Sequence, residues 1–394
     1  MTREDILREV LSLEGSNWLL ELPTGIGKSK MAIEKIKSLK SKTGQHLLIV
    51  VPRNVHKANW ADEIKKWWSN CNMKITMTTY VSLPKYAGKY DCAIFDECHH
   101  LSERCREALC YFDIKHSVLL SATVSNKLKD ELIEVFDDLT SYKKDLRDVI
   151  DDDILPDPIV YMLPLNLRAD LPTEVIWKNP KAKGRLIESS WAMRWGYMKQ
   201  KTNPVRIYCT QKQYITDLDN QIEYWKKRYL RSRSEIAKNK WLRLCGDRLK
   251  WLSDKKTPYV QQILLHLGEH RTLIFCNSIE QTEMLGEYCI NSKNKKSVEY
   301  LEAFNKGKID HITACNMLNE GMNLVNCQVG IYANLNSSDT IVKQRMGRLL
   351  RHENPVLIVP YFVGTRDEEL ANKMLENYNP KLVTVINNYK EIKI

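Results

Sequence analysis

LPTGIGKS, Leu22–Ser29, decides the fold of this 394-residue chain. It follows an apolar run, Asn17 to Leu22, and opens a stretch with helical periodicity through Met31, Ala32, Ile33 and Ile36. A strand, a glycine-rich turn and a helix in that order make a loop whose backbone amides converge on phosphate oxygens. Gly25 and Gly27 allow the close approach, and Pro23, Thr24 and Ile26 complete the loop. Lys28 is placed to reach β- and γ-phosphates, and Ser29 to offer a hydroxyl to Mg²⁺. The strict phosphate-loop pattern has Gly where Leu22 stands, which is a departure.

A second stretch, CAIFDECHH (Cys92–His100), carries two carboxylates, two histidines and two cysteines. By itself it reads equally as a zinc knuckle, a proton-transfer site or a magnesium site. The eleven cysteines are scattered singly with no CxxC pair, which argues against a ribbon-type zinc site and a disulfide framework. No structural zinc is expected. A phosphate loop needs an acidic partner at the end of a neighbouring strand. Asp96 is then expected to hold Mg²⁺ through water, and Glu97 to position and deprotonate an attacking water. ATP and Mg²⁺ are the expected cofactors.

Around these motifs the first 125 residues alternate helical stretches with the short apolar runs Asn17 to Leu22, Leu47 to Val51, Cys92 to Phe95 and Val118 to Leu120. The series returns at Thr272 to Cys276, His311 to Ala314, Val329 to Tyr332 and Val356 to Tyr361. Such runs predict buried parallel strands, hence two α/β domains. Prolines 156, 158, 164 and 172 mark a boundary between them. The expected division is 1–155 as a first domain, 156–177 as linker or first strand of the second, 178–257 as an insert and 258–394 as the second domain.

The insert holds the charge. Lys178 to Lys256 carries 21 Lys or Arg against 7 Asp or Glu, a net +14, whereas the whole chain is +11. A localised basic surface suits a polyanion, most often nucleic acid. Ile215, Leu218, Ile222, Trp225 and Tyr229 repeat at helical spacing, and Trp241, Leu244, Leu249 and Leu252 suggest a second helix, together a hairpin. Its tryptophans are read mainly as the hairpin's own core. Arg228, Arg231 and Arg233 are its candidate nucleic-acid contacts. No apolar run is long enough for a membrane span, and the charged N-terminus does not read as a secretory signal.

The motifs now add up. Asp96-Glu97-Cys98-His99 resembles the DECH variant of the DEAD/DEAH box of superfamily 2 helicases. Ser121-Ala122-Thr123 resembles motif III, Ile49–Trp67 motif Ia, Thr79–Leu83 the T-Y-x-S-L element, Thr272–Ser278 motif IV and Asn319–Ile331 motif V. QRMGRLLR (Gln344–Arg351) matches motif VI in full, with Arg345, Arg348 and Arg351 on nearly one helical side. The motifs occur in family order and cover most of the chain outside the insert.

The resemblance implies two RecA-like parallel-sheet domains with a basic α-helical insert. It implies Arg348 and Arg351 as arginine fingers on the γ-phosphate, and Gln344 as a bridge to the DECH box through His99. Nucleotide contacts would come also from Glu320, Gly321 and Asn323. Nucleic acid would be held by Pro52, Arg53, Thr79, Tyr80, Asn277, Cys315 and Asn316. Coupling would pass through His99, Ser121, Ala122 and Thr123. Cys315 and Asn323 depart from the usual Thr and Asp of motif V, and no adenine-reading Q motif precedes Leu22.

The motif V and VI wording is closest to the XPB-like or Swi/Snf-like branch, which favours DNA. The expected activity is an ATP-dependent DNA helicase or translocase. The alternatives are an RNA helicase or RNA-dependent ATPase, and a non-unwinding motor or clamp subunit of a larger complex with protein partners. A cytoplasmic location in a bacterial or phage-infected cell is expected, or a nuclear one in a eukaryote.

Overall fold

Runs of β-branched and aliphatic residues too short for helices pair most readily when both faces are covered, which a parallel sheet flanked by helices provides. The computed structural model bears this out. It describes residues 1–39, 45–178, 186–187, 205–291, 293–315, 324–325, 327–336, 345, 347, 349, 352–376 and 378–394, with backbone alone for 176–178, 186–187 and 205–207.

The first sheet contains β1 (Asn17–Glu21), β2 (His46–Val51), β3 (Lys74–Thr79), β4 (Lys89–Phe95), β5 (Asp113–Ser121) and β6 (Leu139–Lys143). They are parallel throughout, in the order β3-β2-β4-β5-β1-β6. Its helices are α1 (Arg3–Ser12), α2 (Lys28–Ser38), α3 (Val55–Trp67), α4 (Glu103–Leu109), α5 (Asn126–Val135) and α6 (Leu146–Asp151). The buried ammonium of Lys35 donates to the carbonyls of Leu11 and Leu13, 3.0 and 2.6 Å away, and so caps the end of α1 against α2.

The second sheet begins early in the chain, with β7 (Ile159–Leu165). Its other members are β11 (Thr272–Cys276), β12 (Cys289–Ile290), β13 (His311–Cys315), β14 (Val329–Ile331), β15 (Val356–Phe362) and β16 (Val383–Val385). The order is β12-β13-β11-β14-β15-β7-β16, again parallel. One buried cluster runs from Ile6, Trp18 and Leu22 through Leu155 to Phe275 and Leu357, so the two sheets share a continuous core at the point where the chain crosses between them.

Between β7 and β11 lies the insert. It opens with a small antiparallel sheet of β8 (Glu174–Lys178), β9 (Leu186–Ile187) and β10 (Val205–Cys209), in the order β10-β8-β9. It continues as a hairpin of α7 (Gln211–Ser232) and α8 (Glu235–Leu267). The insert is therefore not all helical, and the boundaries expected at 177/178 and 257/258 would cut β8 and α8. Helix α8 runs on through Pro258 and packs its later turns into the second domain, where Val260, Ile263 and Leu267 are buried. Trp225, Trp241 and Trp251 pack against the same cluster. Helices α9 (Ile279–Leu285), α10 (Ser297–Asn305) and α11 (Arg366–Leu375) complete the second domain.

Two anchors fix the hairpin to its base. Glu174 on β8 accepts bonds from the Trp251 indole, at 3.1 Å, and from Lys255. Lys256, fully buried on α8, pairs with buried Asp367 on α11 at 2.8 Å. Asp367 also accepts from the Phe362 amide at 3.2 Å, so its charge is met from two sides.

Candidate nucleotide site and nucleic-acid face

In a parallel sheet the loops at the carboxyl ends of adjacent strands gather on one edge. Glu21 of β1 is in register with Ser121 of β5, and Phe95 of β4 with Leu119 of β5. The chain thereby brings the phosphate loop, Asp96-Glu97 and Ser121-Ala122-Thr123 together. Leu22, where the strict pattern has Gly, is buried and continues the strand by donating its amide to the Ser121 carbonyl at 2.9 Å.

Gly25 and Gly27 both lie at positive φ, +95° and +101°, which a residue with a Cβ rarely adopts. Gly27 caps α2 without any side-chain hydrogen bond, so the first amides of that helix are left to an anion. Lys28, in the first turn, places Nζ 3.4 Å from Glu97 Oε1. Both side chains are nearly buried, at 11 % and 13 % exposed, which strengthens their attraction. Glu97 itself adopts the left-handed conformation at φ 51°, turning its carboxylate back toward Lys28.

Asp96 is enclosed. Burial and the adjacent Glu97 carboxylate push its carboxyl up to about 6. The oxygen donors of Ser29, in the first turn of α2, and Asp96, directly after β4, are the kind a hard divalent ion takes. Cys98 is buried and its thiol is raised by that burial. Among the described residues no cluster of three His, Cys, Asp or Glu could hold a metal.

His99 joins two motifs. Its Nδ1 lies 3.1 Å from Ser121 Oγ and 3.4 Å from Glu97 Oε2. Ser121 Oγ donates in turn to the Thr123 carbonyl at 2.8 Å, so Nδ1 is the donor toward Ser121. Ala122 is buried in the same turn. The ring of His100 stands 4.5 Å from that of His99.

From the second domain, Gly347 reaches the phosphate loop. A Cβ there would lie 2.3 Å from Thr24 Cβ and 2.8 Å from the Thr24 carbonyl oxygen. Leu349 packs as closely over Gly330 of β14. Arg345 is buried, donates to the Asn334 carbonyl at 2.9 Å and stacks over Phe275, so it belongs to the core. Gln344, Arg348, Arg351, Asn316, Glu320, Gly321 and Asn323 lie outside the described residues.

The expected nucleic-acid contacts divide. Arg53 is exposed and Pro52 half-buried at the end of β2, before α3. Arg228, Arg231 and Arg233 are exposed at the hairpin. Asn277 is half-buried beyond β11, and Cys315 is buried at the end of β13. Thr79 and Tyr80 are likewise enclosed. Thr79 is 9 % exposed and Tyr80 only 4 %, with the Tyr80 hydroxyl turned inward to the Asp96 carbonyl at 2.7 Å, so its ring serves the core. Sequence reasoning missed Trp60, whose indole donates to Asp96 Oδ2 at 2.9 Å. A tryptophan near the middle of the motif Ia helix was the available signal, since a buried indole must find an acceptor.

A phosphate loop and a paired carboxylate motif on one parallel sheet, with a second such sheet abutting the loop, define a two-domain RecA-like NTPase. Comparison with known proteins narrows this. A model of the helicase conserved C-terminal domain matches residues 255–353, and one of the type III restriction enzyme res subunit matches residues 4–83. S. cerevisiae Dbp5 bound to RNA and ADP BeF3 shares the fold with a TM-score of 0.58 at 11% identity, over 98% of this chain and 89% of that one. The Pyrococcus furiosus Hef helicase domain does so with a TM-score of 0.50 at 14% identity, over 94% and 97%. No curated protein sequence matches. In these two segments the chain is similar to superfamily 2 helicases. No helix among the described residues is long and apolar enough to cross a membrane.

Proposed function

We propose that this chain is an ATP-dependent DNA helicase or translocase that hydrolyses ATP between its two RecA-like domains. Two contacts carry the reading: Lys28 with Glu97 in the first domain, and Gly347 of the second domain against Thr24 of the phosphate loop. In that reading Lys28 and the α2 amides hold the nucleotide phosphates, and Glu97 takes the proton of the attacking water. Asp96 and Ser29 would hold magnesium, which when bound offsets phosphate charge. Arg348 and Arg351 act as fingers from the second domain. Nucleic acid runs along Pro52–Arg53 and the exposed arginines of the hairpin.

DNA is favoured by the basic insert, by the wording of motifs V and VI, and by the restriction-enzyme model matching the first domain. The test is ATP hydrolysis by the purified chain, alone and with single-stranded DNA, duplex DNA or single-stranded RNA of equal length. Stimulation mainly by DNA is expected. Stimulation mainly by RNA overturns the substrate and keeps the mechanism. ATP binding without turnover under every condition makes the chain a clamp or a subunit awaiting a partner.

A further inference from the structure

Asp96 receives two hydrogen bonds that the resemblance to helicases does not assign. Both come from segments that the motif resemblance assigns to the nucleic-acid face. Helix α3 begins directly after Pro52, Arg53 and Asn54, and Arg53 is exposed. In the second turn of that helix, Trp60 is 3 % exposed, and its indole donates to Asp96 Oδ2 at 2.9 Å. The second segment is the tight turn Tyr80–Tyr86, which follows β3. Tyr80 opens it with a buried ring and donates to the Asp96 carbonyl at 2.7 Å, while the next residue, Val81, is 85% exposed. The Asp96 amide completes the frame by donating to the Val50 carbonyl at 2.9 Å. A strand end needs no indole and no phenol to hold it. A leucine and a phenylalanine would fill the same core.

We infer that Trp60 and Tyr80 are positioning residues that link the nucleic-acid face of the first domain to Asp96. A ligand pulling on Arg53 moves α3 and with it the Trp60 indole. A ligand pressing on Val81 moves the turn and with it the Tyr80 hydroxyl. Each displacement re-aims the Asp96 carboxylate, so nucleic acid alters the affinity of the site for the magnesium–nucleotide pair. By linkage, the magnesium–nucleotide pair alters the grip on nucleic acid by the same factor. This rests on the functional reading above.

Trp60→Phe and Tyr80→Phe each delete one donor and keep a ring in the core. Trp67→Phe is the control, because its indole bonds to Glu63 on the same helix instead. Binding of a fluorescent ADP analogue to the full chain is titrated with Mg²⁺, with and without the nucleic acid that stimulates the wild type. Steady-state hydrolysis is read alongside. In the wild type, nucleic acid is expected to lower the half-saturating Mg²⁺ concentration severalfold. In Trp60→Phe and Tyr80→Phe that concentration should rise about fivefold, and its response to nucleic acid should fall below twofold. Analogue binding in EDTA and the behaviour of Trp67→Phe should match the wild type. Wild-type responses in both variants overturn the link while leaving the functional reading intact. A wild type whose Mg²⁺ titration and hydrolysis ignore every nucleic acid overturns both. If Trp60→Phe does not fold, Tyr80→Phe, which lacks a single oxygen, decides alone.

Discussion

At the scale of single residues, the site is built from short distances between charges that water reaches poorly. Glu97 is held 3.4 Å from Lys28 and turned there by a left-handed backbone. Glu97→Gln keeps the shape and the hydrogen-bonding reach and removes the proposed base. Turnover should fall by about 10²–10⁴-fold with nucleotide binding retained, as single-turnover hydrolysis beside equilibrium binding will read. Near-wild-type turnover would take Glu97 out of the mechanism. Gly347 tests the other side. Its Cβ would meet Thr24 backbone, which cannot rotate away. Gly347→Ala should therefore lower turnover by about 10²-fold, while the first domain still binds nucleotide. Unchanged turnover would mean that closure does not need this contact.

At the scale of elements, the long helix α8 is fixed by the buried Lys256–Asp367 pair. Removing one partner strands a charge in the core, so Lys256→Met should cost about 3–5 kcal/mol in chemical denaturation. Lys256→Met with Asp367→Leu should recover most of that, because the uncompensated charge is gone. A double variant no better than the single one would show that the pair is needed as a pair. The same elements measure how far the sequence could be read. All eight strands expected from aliphatic runs are present, because two-sided burial writes them as unbroken apolar segments. The strands that went unread sit at edges or are short. KITMTT of β3 and LTSYK of β6 have one partner each and tolerate polar residues. In the insert, β8–β10 have too little apolar pattern to announce a sheet. At the site, the loop glycines, Lys28 and the carboxylates were legible because their chemistry dictates residue type and spacing. The inward turn of Tyr80, the burial of Arg345 and the bond from Trp60 were not, since tertiary packing alone decides which way those side chains point.

At the scale of the whole molecule, the charge excess gathers on the insert. Arg228, Arg231 and Arg233 stand exposed where α7 turns into α8. Replacing all three with Gln should weaken nucleic-acid binding and reduce the slope of log affinity against log salt by about 2–3. Fluorescence anisotropy over a salt series will show it. An unchanged slope would make the hairpin a solvated face with no part in binding.

Helix α8 runs continuously for 33 residues and is clamped about two thirds of the way along, at Lys256. From Glu235 to the clamp at Lys256 is 21 residues, which at 1.5 Å per residue is about 32 Å. Such a rod is a lever. A tilt of only about 6° at the clamp would carry the tip through about 3.4 Å, the spacing of one nucleotide along a strand. A rocking of the second domain too small to notice at the fulcrum would thus arrive at the far end as a full stride.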